Sequence, residues 1–191
     1  SAAFAEVGAV TAVRAAVEGA CACLERGADG ADGQSLLREV FQIAHQAVLT
    51  EAAARSTTPR ELACTLLIAL ATPDSVLAAQ VGDGAVVAGD TEGRVFSVTR
   101  PFSAEYLNET TFLTTDGALE KLQFAAWRGP LAHLAVLTDG LQMLALKMPG
   151  GEAHAGFFSP LFQYLAGEPD AAVAQEALAG FLRSPRILTR A

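Results

Sequence analysis

Cysteine, histidine and positive charge are all scarce in this chain of 191 residues, and each shortage closes a route to function. The three cysteines, Cys21, Cys23 and Cys64, and the three histidines match no spacing of paired zinc ligands. Cys21 and Cys23 stand two apart in a predicted helix, so they face different directions and suit neither a shared metal nor a disulfide. Reduced thiols are the expectation. Lys and Arg number 13 against 21 Asp and Glu, a net charge of −8 that argues against a surface built for nucleic acid or anionic lipid. Gly, Asp or Arg interrupts the apolar stretches before the roughly 20 residues that a membrane helix needs, and Ser1 opens no charged-then-apolar signal segment. A cytoplasmic protein with no nucleic-acid or membrane partner is therefore expected. The chain has no Gly-x-Ser-x-Gly turn to expose a serine nucleophile. No Gly-Lys-Ser or Gly-Lys-Thr follows Gly82-Asp83-Gly84, which disfavours nucleotide-dependent chemistry.

Hydrophobic residues, by contrast, make up 51% of the chain, enough for one domain with a sizeable core spanning 1–191. Val10, Val13, Val17, Cys21 and Leu24 recur at helical spacing and predict an amphipathic helix over residues 2–26 with that stripe buried. Gly27 to Gly33 reads as an exposed loop. A second helix follows, its buried stripe formed by Leu37, Val40, Phe41, Ala44 and Val48, and Pro59 stops it near Thr58.

From Leu62 the pattern changes to short apolar runs bounded by turn residues: 63–71, 75–82, 85–89, 94–99, 110–115, 122–127 and 132–138. Pro73-Asp74 and Asp90-Thr91-Glu92-Gly93 sit where hairpins turn, so the first four runs predict an antiparallel meander with the strand ending at Asp83 central. Helical spacing returns over 159–167 and 170–183, with Pro160 and Pro169 suited to first turns. Helices, then strands, then helices imply an α+β fold.

Two of the strands end in acidic turns, Val81-Gly82-Asp83-Gly84 and Leu137-Thr138-Asp139-Gly140. Each Asp fits two roles: closing the turn through a hydrogen bond to backbone, or presenting a hard oxygen ligand from a rigid strand end. Gly84 and Gly140 would let the backbone turn sharply beside a crowded ion. Thr65 and Thr138 lie beside these turns, where their hydroxyls can orient a carboxylate or simply suit a strand. His133 opens a strand as a weak candidate acid, and His45 reads as structural. The stretch from Pro101 to Asn108 leaves the meander and is the candidate border of a substrate site.

Taken in order, Ala63-Cys64-Thr65-Leu66-Leu67-Ile68-Ala69-Leu70, Ser75 through Gly84, Glu105 through Thr114, and Leu134 through Leu141 resemble the bacterial branch of the metal-dependent protein phosphatases, the type-2C or PPM family. The likeness extends over roughly residues 1 to 182. It implies two antiparallel sheets packed face to face with helices on both outer surfaces. It further implies hydrolysis of phosphoserine or phosphothreonine esters in a phosphorylated protein, through a hydroxide bridging two Mg²⁺ or Mn²⁺ ions and with no covalent enzyme intermediate.

Carried over by motif, Asp139 corresponds to a ligand of one catalytic metal and Asp83 to a ligand of an additional, weaker one. Gly82, Gly84, Thr65, Thr138 and Gly140 are supporting positions. Family members also carry an Asp-Gly turn before the first long helix and an acidic pair after the last, both absent from Ser1 to Ala191, so the expectation is a sandwich incomplete at both ends within a longer gene product. Where many relatives place an acid four residues past the last Asp-Gly, this chain has Met143. These departures motivate an alternative: a phosphatase-like module that binds and regulates a partner without catalysis.

Overall fold

A computed structural model describes residues 3–26, 33–101 and 110–189. The chain falls into two compact units, one comprising Ser1–Leu70, Leu77–Asp83 and Phe102–Ala126, the other Ala71–Val76, Gly84–Pro101 and Trp127–Ala191. Helices α1 (Ala5–Glu25) and α2 (Gly33–Ala54) come first. Strands β1 (Leu66–Thr72), β2 (Ser75–Val81), β3 (Ala85–Asp90), β4 (Val95–Ser97), β5 (Gln123–Arg128) and β6 (Leu131–Leu137) form two antiparallel sheets, ordered β1-β2-β5 and β4-β3-β6. Helix α3 (Gln142–Ala145), a short β7–β8 pair (Leu146–Lys147 and Glu152–Ala153), α4 (Ala155–Gly167), α5 (Ala171–Leu182) and α6 (Pro185–Leu188) complete the chain. The fold is α+β, consistent with an α-β-β-α sandwich.

In the first unit α2 buries the stripe its spacing predicts, with Leu37, Val40, Phe41, Ala44 and Val48 fully enclosed against Leu66, Ala79, Val81 and Leu113. Each large apolar side chain so enclosed stabilises the fold by about 1.5–3 kcal/mol. Helix α1 departs from its predicted orientation. Val10, Val13, Val17, Cys21 and Leu24 are exposed, and the buried face is Gly8, Ala12, Ala16, Gly19, Ala20 and Cys23. Closeness of approach explains the reversal. A Cβ on Gly8 would come within 2.8 Å of the Leu62 carbonyl carbon, and one on Gly19 would meet Ile43 Cδ1 at 3.0 Å. Only small residues fit at such a contact, and a close-packed interior rewards fit before hydrophobicity. With 21 residues and a mean hydropathy of 1.5, α1 is also long and apolar enough to cross a membrane by length and composition. Its Ala12, Ala16 and Cys23 instead pack in the core.

The expected four-stranded meander is split. Both hairpins form, but β1 and β2 join β5 while β3 and β4 join β6, leaving β2 central in its sheet as predicted. Residues 110–115, expected as a strand, make coil and turns instead. Their backbone partners lie elsewhere: Leu113 donates its N–H to the Cys64 carbonyl at 2.7 Å, and the Leu113 carbonyl lies 2.7 Å from His45 Nδ1.

In the second unit the β3–β6 ladder carries α4 on one face, with Phe158 and Phe162 packed against Ala85, Val87 and Leu137. Gly89 is tight there, since a Cβ would meet Phe162 Cδ2 at 3.0 Å. Pro160 lies inside α4 rather than in its first turn, because the helix begins at Ala155. Pro169 precedes α5, whose start is capped by Asp170 accepting from the N–H groups of Ala172 and Val173.

Candidate metal centre

The β3–β6 register sets the position of the last acidic turn. Ala85 pairs with Leu137 and Val86 with Val136, so the start of β3 and the end of β6 share one edge of the sheet. The chain enters β3 through Gly84 and leaves β6 through Thr138, Asp139 and Gly140. Leu137 is buried and anchors the strand end, while the next three residues are exposed. Thr138 is extended, with φ −91° and ψ 176°, and Asp139 opens a 3-10 turn over Asp139–Leu141. Among the described residues the Asp139 carboxylate makes no hydrogen bond or ion pair. A turn-closing side-chain bond is therefore not what holds it, and the residue is exposed just beyond the end of β6.

Asp83 is held differently. It ends the segment that follows β2 in the first unit, it is half-buried, and Thr110 Oγ1 donates to its Oδ2 at 2.8 Å. Gly82 before it has φ +115°, a conformation that favours glycine. A Cβ there would come within 2.5 Å of Thr65 Cβ, so Thr65 serves as a wall against Gly82. The hydroxyl that steadies the carboxylate belongs to Thr110, within a stretch read from sequence as a strand. A Cβ on Gly140 would meet open space, so crowding does not explain that glycine.

The remaining candidates lie elsewhere. His133 sits six residues before Asp139, roughly 20 Å along the strand, and stacks on Phe162 with ring centroids 4.8 Å apart. Met143 is 71% exposed. His154 Nδ1 lies 3.2 Å from the Leu144 carbonyl. Burial pushes the Cys64 thiol up to about 11, so it stays protonated at neutral pH and is no nucleophile or soft metal ligand. The stretch expected to border substrate, Pro101 to Asn108, lies outside the described residues beyond Pro101.

The donor chemistry fits a hard divalent ion, because carboxylate oxygens suit Mg²⁺ and Mn²⁺. In number it falls short, since the described residues hold no group of three or more His, Cys, Asp or Glu placed to grip a metal. Further ligands would be water or residues outside that set.

Helices on antiparallel sheets, with Asp-Gly turns at the ends of two strands, make up the α+β scaffold. More particularly, the family described as Protein phosphatase 2C matches residues 1–183, and the chain belongs to that family. It is also similar to Serine/threonine-protein phosphatase 3 of Escherichia coli (strain K12), with 36% identity over 147 residues. That alignment covers 76% of this chain and 58% of the relative's length.

Proposed function

We propose that the protein is a serine/threonine protein phosphatase acting on phosphoserine or phosphothreonine in a protein substrate. In this reading Asp139 is a ligand of a catalytic divalent ion, and Asp83 is a ligand of a further, weaker one. Family membership over residues 1–183 supports the activity, and the Asp139 carboxylate at the end of β6, without a partner among the described residues, is the observation that carries the assignment.

Bound Mg²⁺ or Mn²⁺ would supply an acidified water as nucleophile and neutralise charge on the phosphoryl oxygens. The chain's own contribution is placement. Leu137, buried in the β3–β6 ladder, fixes the strand end from which Asp139 projects, and Thr110 fixes the rotamer of Asp83. The proposal uses no covalent enzyme intermediate, in keeping with a buried, protonated Cys64. A cytoplasmic setting belongs to the same reading and is supported by three free thiols.

The test is hydrolysis of a phosphothreonine peptide by the complete gene product. Turnover should require Mn²⁺ or Mg²⁺, stop on chelation, and fall by roughly 100-fold or more in Asp139→Asn. Turnover that survives chelation overturns the proposal.

A further inference from the structure

Helix α1 carries an apolar stripe that no described residue of its own unit covers. Val10 is 53% exposed, Val13 54%, Val17 58% and Leu24 54%, and Cys21 among them is exposed as well. At about 100° per residue these five fall within an arc of roughly 80° and run for about 21 Å along the helix. The stripe faces away from α2. Gly19 is the residue that meets Ile43 of α2, and Val17 lies roughly 160° around the axis from it. Four half-exposed side chains present roughly 400 Å² of contiguous apolar surface, the size of the largest and often functional patch on a monomer.

We propose that a second copy of this chain covers the stripe, with the two α1 helices packed antiparallel about a two-fold axis at Val17. An isologous contact must be self-complementary, and this helix is. The two-fold sets Val17 against Val17, Val13 against Cys21, and Val10 against Leu24, so every apolar position meets another. Arg14 and Glu18 share one shoulder of the stripe, both exposed, and neither has an ion-pair partner among the described residues. In the antiparallel register Arg14 of one copy lies within about 3 Å of axial rise of Glu18 on the other, and the reciprocal pair forms by symmetry. A parallel pairing would instead put the two Arg14–Glu18 shoulders on opposite sides of the seam, with no charge pair between them. Two stripes bury roughly 800 Å² of apolar surface, and the charged shoulders bring the total toward the ~1,200 Å² at which specific interfaces begin.

Sedimentation velocity of the purified chain tests this, with thermal melts of dilute samples confirming that each variant is folded. The wild type should show a concentration-dependent monomer–dimer equilibrium across the micromolar range, and Val13→Glu/Val17→Glu should be monomeric throughout. Arg14→Glu alone should weaken the dimer by roughly tenfold, and Arg14→Glu/Glu18→Arg should restore it. Under mild oxidation Val17→Cys should form a disulfide-linked dimer through position 17, whereas wild-type Cys21, set off the two-fold, should not cross-link. A wild type that stays monomeric, or a dimer indifferent to these substitutions, overturns the proposal and leaves the stripe to a different chain. Cross-linking through wild-type Cys21 also overturns it, because that product requires a two-fold at Cys21 or a parallel pairing rather than the register centred on Val17.

Discussion

Thr110 donates its hydroxyl to Asp83 Oδ2 at 2.8 Å, reaching across 27 residues of chain to a carboxylate that the neighbouring threonine, Thr65, leaves alone. A donor in that place helps to orient the carboxylate. Thr110→Val keeps the shape and removes the donor. Affinity for Mn²⁺ at the proposed Asp83 site should then fall by about 10–100-fold, read by titration calorimetry. Unchanged affinity would separate Thr110 from ion binding.

Gly82 sits at φ +115° against Thr65. Gly82→Ala should cost about 1–3 kcal/mol from backbone conformation, and the contact with Thr65 adds to it, as measured by urea denaturation. Combining it with Thr65→Ala should recover the contact portion and leave the conformational one. A loss within about 0.5 kcal/mol for Gly82→Ala would contradict the tight turn.

The orientation of α1 yields opposite costs at adjacent positions. Ala16 is buried and Val17 exposed, so Ala16→Leu should overpack the interior and cost about 1–3 kcal/mol. Val17→Ala should change the stability of the monomer by no more than about 0.5 kcal/mol. The reverse order would restore the face that hydrophobic spacing favours.

That reversal shows where sequence reading succeeds and where it stops. The stripe of α2 was legible because Leu37, Val40, Phe41, Ala44 and Val48 are bulky and bury together. In α1 the buried face is alanine and glycine, which carry little hydrophobic signal, and the contacts at Leu62 and Ile43 that demand small residues are long-range. Short apolar runs between turn residues located the strands, with β2, β3, β5 and β6 close to their expected limits. Which sheet each hairpin joins depends on tertiary pairing, so the split of the meander was not legible. Residues 110–115 have strand-like composition, yet Leu113 bonds to Cys64 and His45 instead of a ladder, and this placement also hid Thr110. The Asp-Gly turn at the end of β6 was plain from sequence, whereas the freedom of its carboxylate required the structure.

Asp90 links stability to acid. Burial pushes its carboxyl up, but the Arg94 backbone N–H, the Arg94 guanidinium at 2.6 Å and the Glu92 N–H together outweigh burial and hold it below the usual carboxylate range. A group with a depressed folded value stabilises fully above its unfolded value, near 3.9, and loses that contribution as pH falls through the folded one. The wild-type Tm should therefore fall more steeply than that of Asp90→Asn below about pH 4. Parallel curves would remove Asp90 from the acid response.

Mn²⁺-dependent release of phosphate from a phosphothreonine peptide, compared between the complete gene product and its Asp139→Asn variant, bears most directly on the assignment of the β6 turn. We expect metal-dependent hydrolysis in the wild type and a loss of roughly 100-fold or more in the variant, with the variant's thermal melt unchanged because Asp139 is exposed and has no partner among the described residues. Hydrolysis by Asp139→Asn at the wild-type rate and with the wild-type dependence on Mn²⁺ would contradict it.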